Sequence, residues 1–323
     1  MVPFITLEEH FMAKAMWDAG ESAKYSQQLK FLPKVAEQLH DLDSLRIQEM
    51  DAANIALQVV SHAPGGCSLG PTENAGANDQ LADAIKRHPG RYAGFATLPM
   101  GQPTAAAAEL ERSVKQLGFV GALIDNHVKG KFYDGKDFWP VFEMAEKLDV
   151  PIYLHPNFPD EQLMKHYMGE FPMGAGISMG TSGFGWHSEC ALHVLRLFAA
   201  GVFDAYPKLK IIVGHFGEML PFMLGRIAQL SVRWGEIKRK FKQVYDENIW
   251  ITLSGVWSVD PMACILRNTK IERILYSVDY PFADNQWGVE FMKDLQQSGL
   301  VSEEQYRKIA FENAEGLLGV KVQ

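Results

Sequence analysis

The sequence predicts an α/β protein that folds as one eight-stranded (β/α)8 barrel, and three observations lead to this prediction. The chain has 323 residues, a length that a single large barrel commonly reaches. Its apolar residues fall into eight short runs of strand length, and amphipathic patterns typical of helices lie between the runs. Alternating strands and helices form parallel sheets with right-handed crossovers, and eight such units suffice to close a barrel. We therefore expect residues 1–323 to form a single domain.

The predicted strands are rich in Val, Ile, Leu and aromatic residues along their whole length rather than at every second position. Such runs are typical of parallel strands that are covered on both faces. In chain order the strands are predicted at residues 4–10, 56–61, 92–98, 119–124, 150–155, 210–215, 249–254 and 273–279. No Gly-rich dinucleotide-binding fingerprint follows any of them, which disfavours the alternative of an open doubly wound sheet.

Amphipathic helices are predicted between the strands, and Pro and Gly mark several of their ends. They are expected at residues 41–54, 72–90, 103–118, 137–149, 187–201 and 217–234. The segment 156–186, after the fifth predicted strand, is rich in Gly, Pro, Ser and Met. A long irregular loop of this kind is more often a lid or binding loop than a domain boundary. In a barrel it would lie over the mouth at the carboxyl ends of the strands.

The composition is that of a globular protein with a large core, with 47% hydrophobic and 22% charged residues. A net charge of −8 gives no electrostatic reason to expect nucleic acid or an anionic membrane as a partner. No stretch approaches the length of an uncharged membrane span, and the first residues lack the pattern of a secretion signal. The three cysteines, Cys67, Cys190 and Cys264, are far apart and suit a reducing compartment. We therefore expect a cytoplasmic protein.

Four of the eight predicted strands end in side chains that can bind a metal ion or transfer a proton. The first ends in Glu8-Glu9-His10, the fifth in His155, the sixth in His215 and the eighth in Asp279. In a barrel, catalytic residues come from these carboxyl ends. Because residues i and i+2 of a strand share a face, Glu8 and His10 are expected to point together and Glu9 to point away. Imidazole nitrogens combined with carboxylate oxygens favour Zn²⁺, Mn²⁺ or another divalent first-row ion over Mg²⁺.

These residues, in this order, resemble the amidohydrolase superfamily of (β/α)8 metalloenzymes. Most of that superfamily carries His-x-His on the first strand, whereas this chain has Glu8-Glu9-His10. This form resembles the branch of non-oxidative aromatic acid decarboxylases that includes γ-resorcylate (2,6-dihydroxybenzoate) and 2,3-dihydroxybenzoate decarboxylases, and His10 makes it similar to the γ-resorcylate type. Segments similar to that branch extend over nearly the whole chain, at residues 6–11, 118–124, 148–156, 193–227 and 273–282.

The resemblance implies roles for particular residues. The implied ligands of one divalent metal ion (Zn²⁺, Mn²⁺ or Mg²⁺), with no organic cofactor, are Glu8, His10, His155 and Asp279. His215 and Glu218 resemble a His–Glu pair beside the substrate, and together with Asp279 they form the implied catalytic set. Arg226 resembles a cation that supports this pair, and a surface salt bridge is the alternative interpretation.

Five side chains are candidates for contact with the substrate: His62, Asn157, Trp186, Arg226 and Phe282. Asn157 stands where the family tends to have a basic residue, and His62 stands where it tends to have Leu or a similar residue. Both are expected at the mouth, where they bear on the choice of substrate. Trp186 and Phe282 can stack on a flat aromatic acid, or they can be core residues.

The implied reaction is the reversible, non-oxidative decarboxylation of an ortho-hydroxybenzoate, such as a dihydroxybenzoate or a salicylate-type acid, with CO₂ or bicarbonate as the second partner. An aryl carbanion is too unstable to form directly, so the ring carbon that bears the carboxyl group is protonated first. Asp279 is the first choice for the acid, and His215, oriented by Glu218, is the second. The resemblance also implies a homodimer or homotetramer.

A metal-dependent hydrolase of a lactone or amide on the same fold is the alternative function. Such sites use an activated water and often a lysine that bridges two metal ions. The fourth predicted strand leads into Asp125 and Asn126 rather than into a lysine. This favours a single metal ion and therefore the decarboxylase.

Overall fold

Eight parallel strands form a barrel, as the sequence predicts. The computed structural model describes residues 2–17, 19, 23, 29 and 32–322. Each strand is hydrogen-bonded to the next in chain order, and a parallel bridge between Glu9 and Tyr280 joins the end of the sheet to its beginning. The strands are β1 Phe4–Phe11, β2 Ile55–His62, β3 Tyr92–Ala96, β4 Gly121–Asp125, β5 Pro151–His155, β6 Lys210–Val213, β7 Ile249–Thr252 and β8 Ile274–Leu275.

Helices connect the strands and cover the outside of the barrel. In chain order they are α1 Pro33–His40, α2 Ser44–Ala52, α3 Pro71–Arg87, α4 Pro103–Leu117, α5 Trp139–Leu148, α6 Glu161–His166, α7 Met173–Gly180, α8 Gly185–Ala199, α9 Val202–Ala205, α10 Leu220–Leu230, α11 Phe241–Asn248, α12 Val259–Asn268, α13 Asn285–Gln297, α14 Glu303–Arg307 and α15 Asn313–Leu318. The predicted loop 156–186 follows β5 and contains α6 and α7, so it is less irregular than expected. None of the helices in the described ranges has both the length and the apolar character that crossing a membrane requires.

The last strand is shorter than the sequence predicts. β8 contains only Ile274 and Leu275 rather than residues 273–279. Beyond it, the backbone N–H groups of Val278 and Tyr280 donate to the two carboxylate oxygens of Glu9, at 3.0 and 3.1 Å. At the point where the barrel closes, a side chain of β1 therefore supplements a backbone pairing that consists of the bridge between Glu9 and Tyr280.

A bulge in β1 changes which side chains face the interior of the barrel. The pairing of β1 with β2 shifts register between Thr6 and Glu9. The hydroxyl of Ser277 accepts the backbone N–H groups of both Leu7 and Glu8, at 2.7 and 3.0 Å. These two consecutive N–H groups are satisfied by one side chain, as happens where a strand carries an extra residue.

The bulge divides β1 into an apolar half and a polar half. Ile5 and Leu7 belong to the apolar cluster that fills the barrel. After the bulge, Glu8 and His10 face other strand ends across the barrel, while Glu9 turns to the outside. This agrees with the predicted orientation of Glu8, Glu9 and His10. An unbroken alternation continued from Ile5 would have put Glu9 inside instead.

Apolar side chains fill the part of the barrel near the strand starts. The inner cluster contains Ile5, Leu7, Leu57, Val59, Ala93, Phe95, Leu123, Tyr153, Ile212 and Leu275, with Leu317 and Leu318 of α15 packed against it. Buried polar side chains, by contrast, collect at the carboxyl ends of the strands. That end of a (β/α)8 barrel is the one that carries chemistry.

Candidate metal centre

Four side chains meet at the carboxyl end of the barrel: Glu8 and His10 from β1, His155 from β5, and Asp279 from the segment after β8. Nε2 of His10 lies 3.2 Å from Oδ1 of Asp279, and Nε2 of His155 lies 3.5 Å from Oε1 of Glu8. The two imidazole rings meet edge to face, with centroids 4.7 Å apart. The structure therefore brings together the four residues that the resemblance implies as metal ligands.

Two of these groups are held by hydrogen bonds on the side away from the centre. Nδ1–H of His155 donates to the carbonyl of Pro156 at 2.8 Å, so its Nε2 lone pair faces the centre. The hydroxyls of Ser254 and Thr252 donate to Oε2 of Glu8, so Oε1 is the oxygen that faces the centre. Outer partners of this kind fix the tautomer and the orientation of a metal-binding side chain.

The atoms that face the centre have no hydrogen-bond partner among the described residues. They are Oε1 of Glu8, Nε2 of His10, Nε2 of His155 and Oδ1 of Asp279. A buried polar atom without a partner costs about 1–3 kcal/mol, so four of them around one point indicate a site for a cation. Pairs of these ligand atoms lie 3.2 and 3.5 Å apart. Two atoms that bind the same metal ion, each at about 2.1 Å, are separated by a distance of this size. The donor set thus fits one divalent first-row ion.

The surroundings of these groups tune their protonation. Burial lowers the pKa of His155 to about 3, so its imidazole is neutral and its Nε2 lone pair can bind a metal ion. Burial raises the pKa of Glu8. For Asp279 burial also acts to raise the pKa, but the neighbouring imidazoles of His10 and His215 outweigh burial and lower it. A bound divalent cation favours the ionised form of both carboxyl groups.

A second cluster of titratable groups lies beside the first. The buried carboxylate of Glu218 accepts Nδ1–H of His215 at 2.7 Å through one oxygen, and Nδ1–H of His187 at 2.7 Å through the other. Burial acts to raise the pKa of Glu218, but the charges and hydrogen bonds of the two imidazoles lower it to about 2. Nε2 of His215 points towards Asp279, 3.9 Å from its Oδ2. The implied His–Glu pair is therefore present, and a second histidine joins it.

A left-handed turn places His215 and Glu218 side by side. Residues 215–219 have positive φ angles of 47°, 59°, 84°, 50° and 65°. For this reason β6 ends at Val213 rather than at residue 215, and the following helix, α10, begins at Leu220 rather than at residue 217. Left-handed backbone costs roughly 1–2 kcal/mol for each residue that carries a Cβ. A strained turn that bears two functional side chains persists only because the surrounding structure holds it.

The glycine that precedes this turn leaves room for a carboxylate. A Cβ on Gly214 would lie 2.8 Å from Oε1 of Glu8 and 3.0 Å from the hydroxyl of Tyr153. Contacts that short require a neighbour to move, and here the neighbour is one of the four metal-facing side chains. Glycine at this position therefore lets β6 end against the centre without displacing the carboxylate of Glu8.

Glu9 holds the segment that carries Asp279. It is fully buried on the outer face of β1, and its two oxygens accept the backbone N–H groups of Val278 and Tyr280, which flank Asp279. Asp279 itself has a φ of 75°, a conformation that needs support from its surroundings. Glu9 points away from the centre, as predicted, and it positions one of the side chains that faces it.

We expect Glu9→Gln to lower both the stability and the metal occupancy of the protein. Gln keeps one oxygen acceptor but turns an NH₂ group towards the second backbone N–H, and the loss is about 1–3 kcal/mol. Urea unfolding measures the free energy of unfolding, and elemental analysis after dialysis against a fixed metal concentration measures occupancy. Glu290→Gln, on the exposed face of α13, is the control. Wild-type values of both quantities in the Glu9 variant would contradict this role.

A cavity of about 290 Å³ opens onto the two clusters. Its lining includes His155, His187, His215 and Asp279 at one end and Leu29, Leu32, Trp186, Trp257, Phe282 and Trp287 along the walls. No lysine or arginine is among the described residues that line it. A larger hollow of about 630 Å³, which includes His127 and Glu189, is lined by none of the four metal-facing residues. Flat apolar walls beside polar groups suit a planar aromatic ligand with one charged end.

Of the residues predicted to contact the substrate, some line the cavity and others do not. Trp186 and Phe282 line the cavity, and the Phe282 ring lies 5.7 Å from the ring of His10. Arg226 is exposed on α10 and has no ion pair within the described part of the chain. The geometry thus supports a place beside a ligand for the two aromatic residues and gives no support for one at Arg226.

His62 and Asn157 are also absent from the cavity wall. Both are buried at or just after strand ends. Nδ1–H of His62 donates to the carbonyl of Ala63 at 2.6 Å, and the side-chain oxygen of Asn157 accepts the backbone N–H of Phe158 at 2.8 Å. Each of these bonds accounts for one polar atom of the side chain, and the expectation that His62 and Asn157 line the mouth stays a prediction.

Three residues that shape the site were not predicted: His187, Ser254 and Ser277. His187 lies at the start of α8, directly after the long loop. Only its position next to Trp186, a predicted substrate contact, could have indicated a role for it. Ser254 ends the predicted seventh strand, so strand-end position alone could have indicated it. Ser277 acts through its hydroxyl on the β1 bulge, and no sequence pattern marks that contact.

Comparison with known proteins finds the same fold together with decarboxylase chemistry. A family model described as amidohydrolase matches residues 44–320. Decarboxylase orsB of Emericella nidulans is 52% identical, covering 99% of this chain and 98% of that protein. The γ-resorcylate decarboxylase of Polaromonas sp. strain JS666 is 35% identical and covers 97% of both proteins. A crystal structure of dihydroxybenzoic acid decarboxylase from Polaromonas sp. JS666, with bound manganese and the inhibitor 2-nitroresorcinol, matches with a TM-score of 0.87 at 32% identity, covering 99% of this chain and 97% of that one.

Proposed function

Because the chain belongs to the amidohydrolase family, we propose that it catalyses the metal-dependent, non-oxidative decarboxylation of an ortho-hydroxybenzoate. Similarity to decarboxylases along the whole chain confirms the prediction of a carboxy-lyase. The single observation that supports the finer proposal is the position of the four unpartnered ligand atoms beside an aromatic-walled cavity without a lysine or arginine. A carboxylate that enters such a cavity needs its counter-charge from a metal ion and histidines.

Glu8, His10, His155 and Asp279 would hold a divalent ion, which when bound supplies positive charge for the carboxylate and the adjacent phenolate oxygen of the substrate. The chain's own residues fix the ring. Trp186 and Phe282 offer flat apolar surfaces on the cavity wall, and aromatic side chains of this kind hold a planar ring and exclude water. Orientation of the ring against the proton donor lowers the barrier because the reacting atoms start close together.

Asp279 is our first choice for the group that protonates the ring carbon, and His215 is the second. Asp279 lines the cavity, and its Oδ2 is 3.9 Å from Nε2 of His215. Burial acts to lower the pKa of His215, but the charges of Glu8 and Glu218 raise it well above its usual value. Asp279 is ionised before the reaction, so it would take the proton from protonated His215 and pass it on to the ring carbon. Because Glu218 accepts Nδ1–H of His215, Nε2 is the atom left to exchange a proton towards the cavity.

We expect CO₂ release from a panel of 2-hydroxybenzoates, among them 2,6-dihydroxybenzoate, 2,3-dihydroxybenzoate and salicylate, to require a divalent metal. A chelator should lower turnover at least about 100-fold, since the metal contributes several kcal/mol of charge stabilisation. Adding Mn²⁺, Zn²⁺ or Mg²⁺ to separate chelator-treated samples then identifies the metal ion that restores turnover. Benzoate, which lacks the ortho-hydroxyl group, is the control substrate. A metal-free protein that releases CO₂ at the same rate would overturn the proposal.

The hydrolase alternative is tested with the same metal-loaded protein by giving it lactones and amides in place of hydroxybenzoates and following the carboxylic acid that hydrolysis releases. No observation in the described structure favours it. The carboxylate of Asp125, at the end of β4, accepts the backbone N–H groups of Gly65 and Cys67 at 2.9 and 3.3 Å. This side chain holds the loop after β2 against the end of β4, at the position where a metal-bridging lysine would be expected.

A further inference from the structure

We propose that His187 is a positioning residue that orients the His215–Glu218 pair and tethers the loop segment at Ser182 to the cavity. The expected changes in kcat and KM rest on the proposed function, whereas the expected changes in hydrogen exchange and metal content rest on geometry alone. His187 lines the cavity together with Ser182 and His215. Its side chain is 22% exposed, whereas that of Glu218 is fully buried.

Hydrogen bonds hold the His187 ring at both ends. Nδ1 lies 2.7 Å from a carboxylate oxygen of Glu218, and Nε2 lies 3.0 Å from the carbonyl oxygen of Ser182. A single ring therefore links the carboxylate of the His215–Glu218 pair to the loop after β5 at the wall of the cavity.

The bond to Glu218 determines how the catalytic pair is held. A carboxylate with only one imidazole partner is free to rotate and offer either oxygen. Here each oxygen of Glu218 is committed to a different ring, so the plane of the carboxylate is fixed and with it the direction of Nδ1–H of His215. The rings of His187 and His215 also lie against each other, with centroids 4.8 Å apart. His187 acts on the reaction through these two residues.

The bond to Ser182 connects the same ring to the long loop after β5. The backbone N–H of Trp186 donates to the carbonyl of Thr181 at 3.1 Å, so residues 181–186 form a closed turn that presents the Ser182 carbonyl to the ring. Trp186 in that turn is one wall of the cavity. Loss of the bond from His187 to Ser182 would therefore loosen an aromatic wall, and loss of the bond to Glu218 would loosen the proton-transfer pair.

Three substitutions separate these two effects. His187→Asn keeps a donor near the position of Nδ1 and loses the reach to Ser182. His187→Gln keeps a donor near the position of Nε2 and loses the bond to Glu218. His187→Phe keeps the ring shape and loses both bonds. His166→Asn, an exposed histidine on α6 in the same loop, is the matched control.

We expect His187→Phe and His187→Gln to lower kcat about 10- to 100-fold, the usual cost of removing an outer orienting partner. His187→Asn should keep kcat within about 3-fold of wild type and raise KM, because substrate binding depends on the cavity wall whereas the chemical step depends on the pair. Hydrogen exchange in residues 176–186 should increase in the Asn and Phe variants and stay at the wild-type rate in the Gln variant. His166→Asn should change none of these quantities.

A double-mutant cycle and a metal assay complete the test. If His187 acts through Glu218, adding His187→Phe to Glu218→Gln should lower kcat by less than about 3-fold further, since residues that act as one unit are not additive. Full additivity, an unchanged kcat in His187→Phe, or loss of metal from that variant by elemental analysis would each overturn the proposal. If wild-type protein releases no CO₂, the proposed function is contradicted. Hydrogen exchange and metal content can still be measured in that case, and hydrogen exchange still tests the tether between His187 and Ser182.

Discussion

Asp279→Asn is expected to lower kcat about 10²- to 10⁴-fold, the contribution of a well-placed proton donor. Asn has nearly the same size as Asp, and it also tolerates the positive φ of 75° at this position, so the backbone can stay in place. An amide cannot donate a proton as a carboxylic acid does. Single-turnover CO₂ release measures the chemical step, and elemental analysis run alongside shows how much metal the variant retains.

The control for this substitution is Asp284→Asn, in the segment that leads into α13. The Asp284 side chain accepts the backbone N–H of Gln286 at 2.9 Å, and Asn can make the same bond, so kcat should be unchanged. If Asp279→Asn retains metal and turns over within about 10-fold of wild type, less than the usual effect of a general acid, then Asp279 is not the proton donor. If the Asp279→Asn variant binds metal more weakly but reaches the wild-type rate once metal is saturating, the role of Asp279 is restricted to binding the ion.

His215→Asn is expected to lower kcat about 10²-fold or more while KM changes little, because Asn cannot carry a proton at the position of Nε2. The Asn side chain can still donate to Glu218, so the left-handed turn at residues 215–219 keeps its main side-chain bond. Metal content should stay at the wild-type level, because the metal-facing atoms belong to other residues. Steady-state kinetics at saturating metal provide the measurement.

His88→Asn is the matched control for His215→Asn, since the His88 ring bonds to Asp43 away from the centre. Its kcat should equal that of wild type. A His215→Asn variant with nearly wild-type kcat would show that the His–Glu pair does not take part in proton transfer. The source of the proton would then be confined to Asp279 or to solvent.

The barrel and the position of the centre were predictable because they follow from strand spacing. Parallel strands bring their carboxyl ends to one edge, so charged residues at the ends of separate apolar runs had to meet. Glu8, His10, His155 and Asp279 do meet, although they are spread over most of the chain. The decarboxylase branch was predictable from the resemblance in those same segments, and the comparisons confirm it.

The unpredicted features depend on side chains that bond to backbone. Glu9 supplements strand pairing after β8, Ser277 stabilises a bulge, and His187 reaches a carbonyl in the preceding loop. None of these contacts has a periodicity, because each links positions whose separation in the chain is set by loops. Residue type and strand-end position likewise could not show that His62 and Asn157 each bond to neighbouring backbone and lie outside the described lining of the cavity.

The bulge in β1 has a consequence for sequence alignment. The extra residue lies between Thr6 and Glu9, so the apolar beginning and the polar end of this strand follow different registers. A related strand without a bulge must be aligned to it with a one-residue gap at this point. Without that gap, residues that face the barrel interior in one protein are set against residues that face outward in the other. Ligand positions transferred from relatives are therefore best counted back from the carboxyl end of β1.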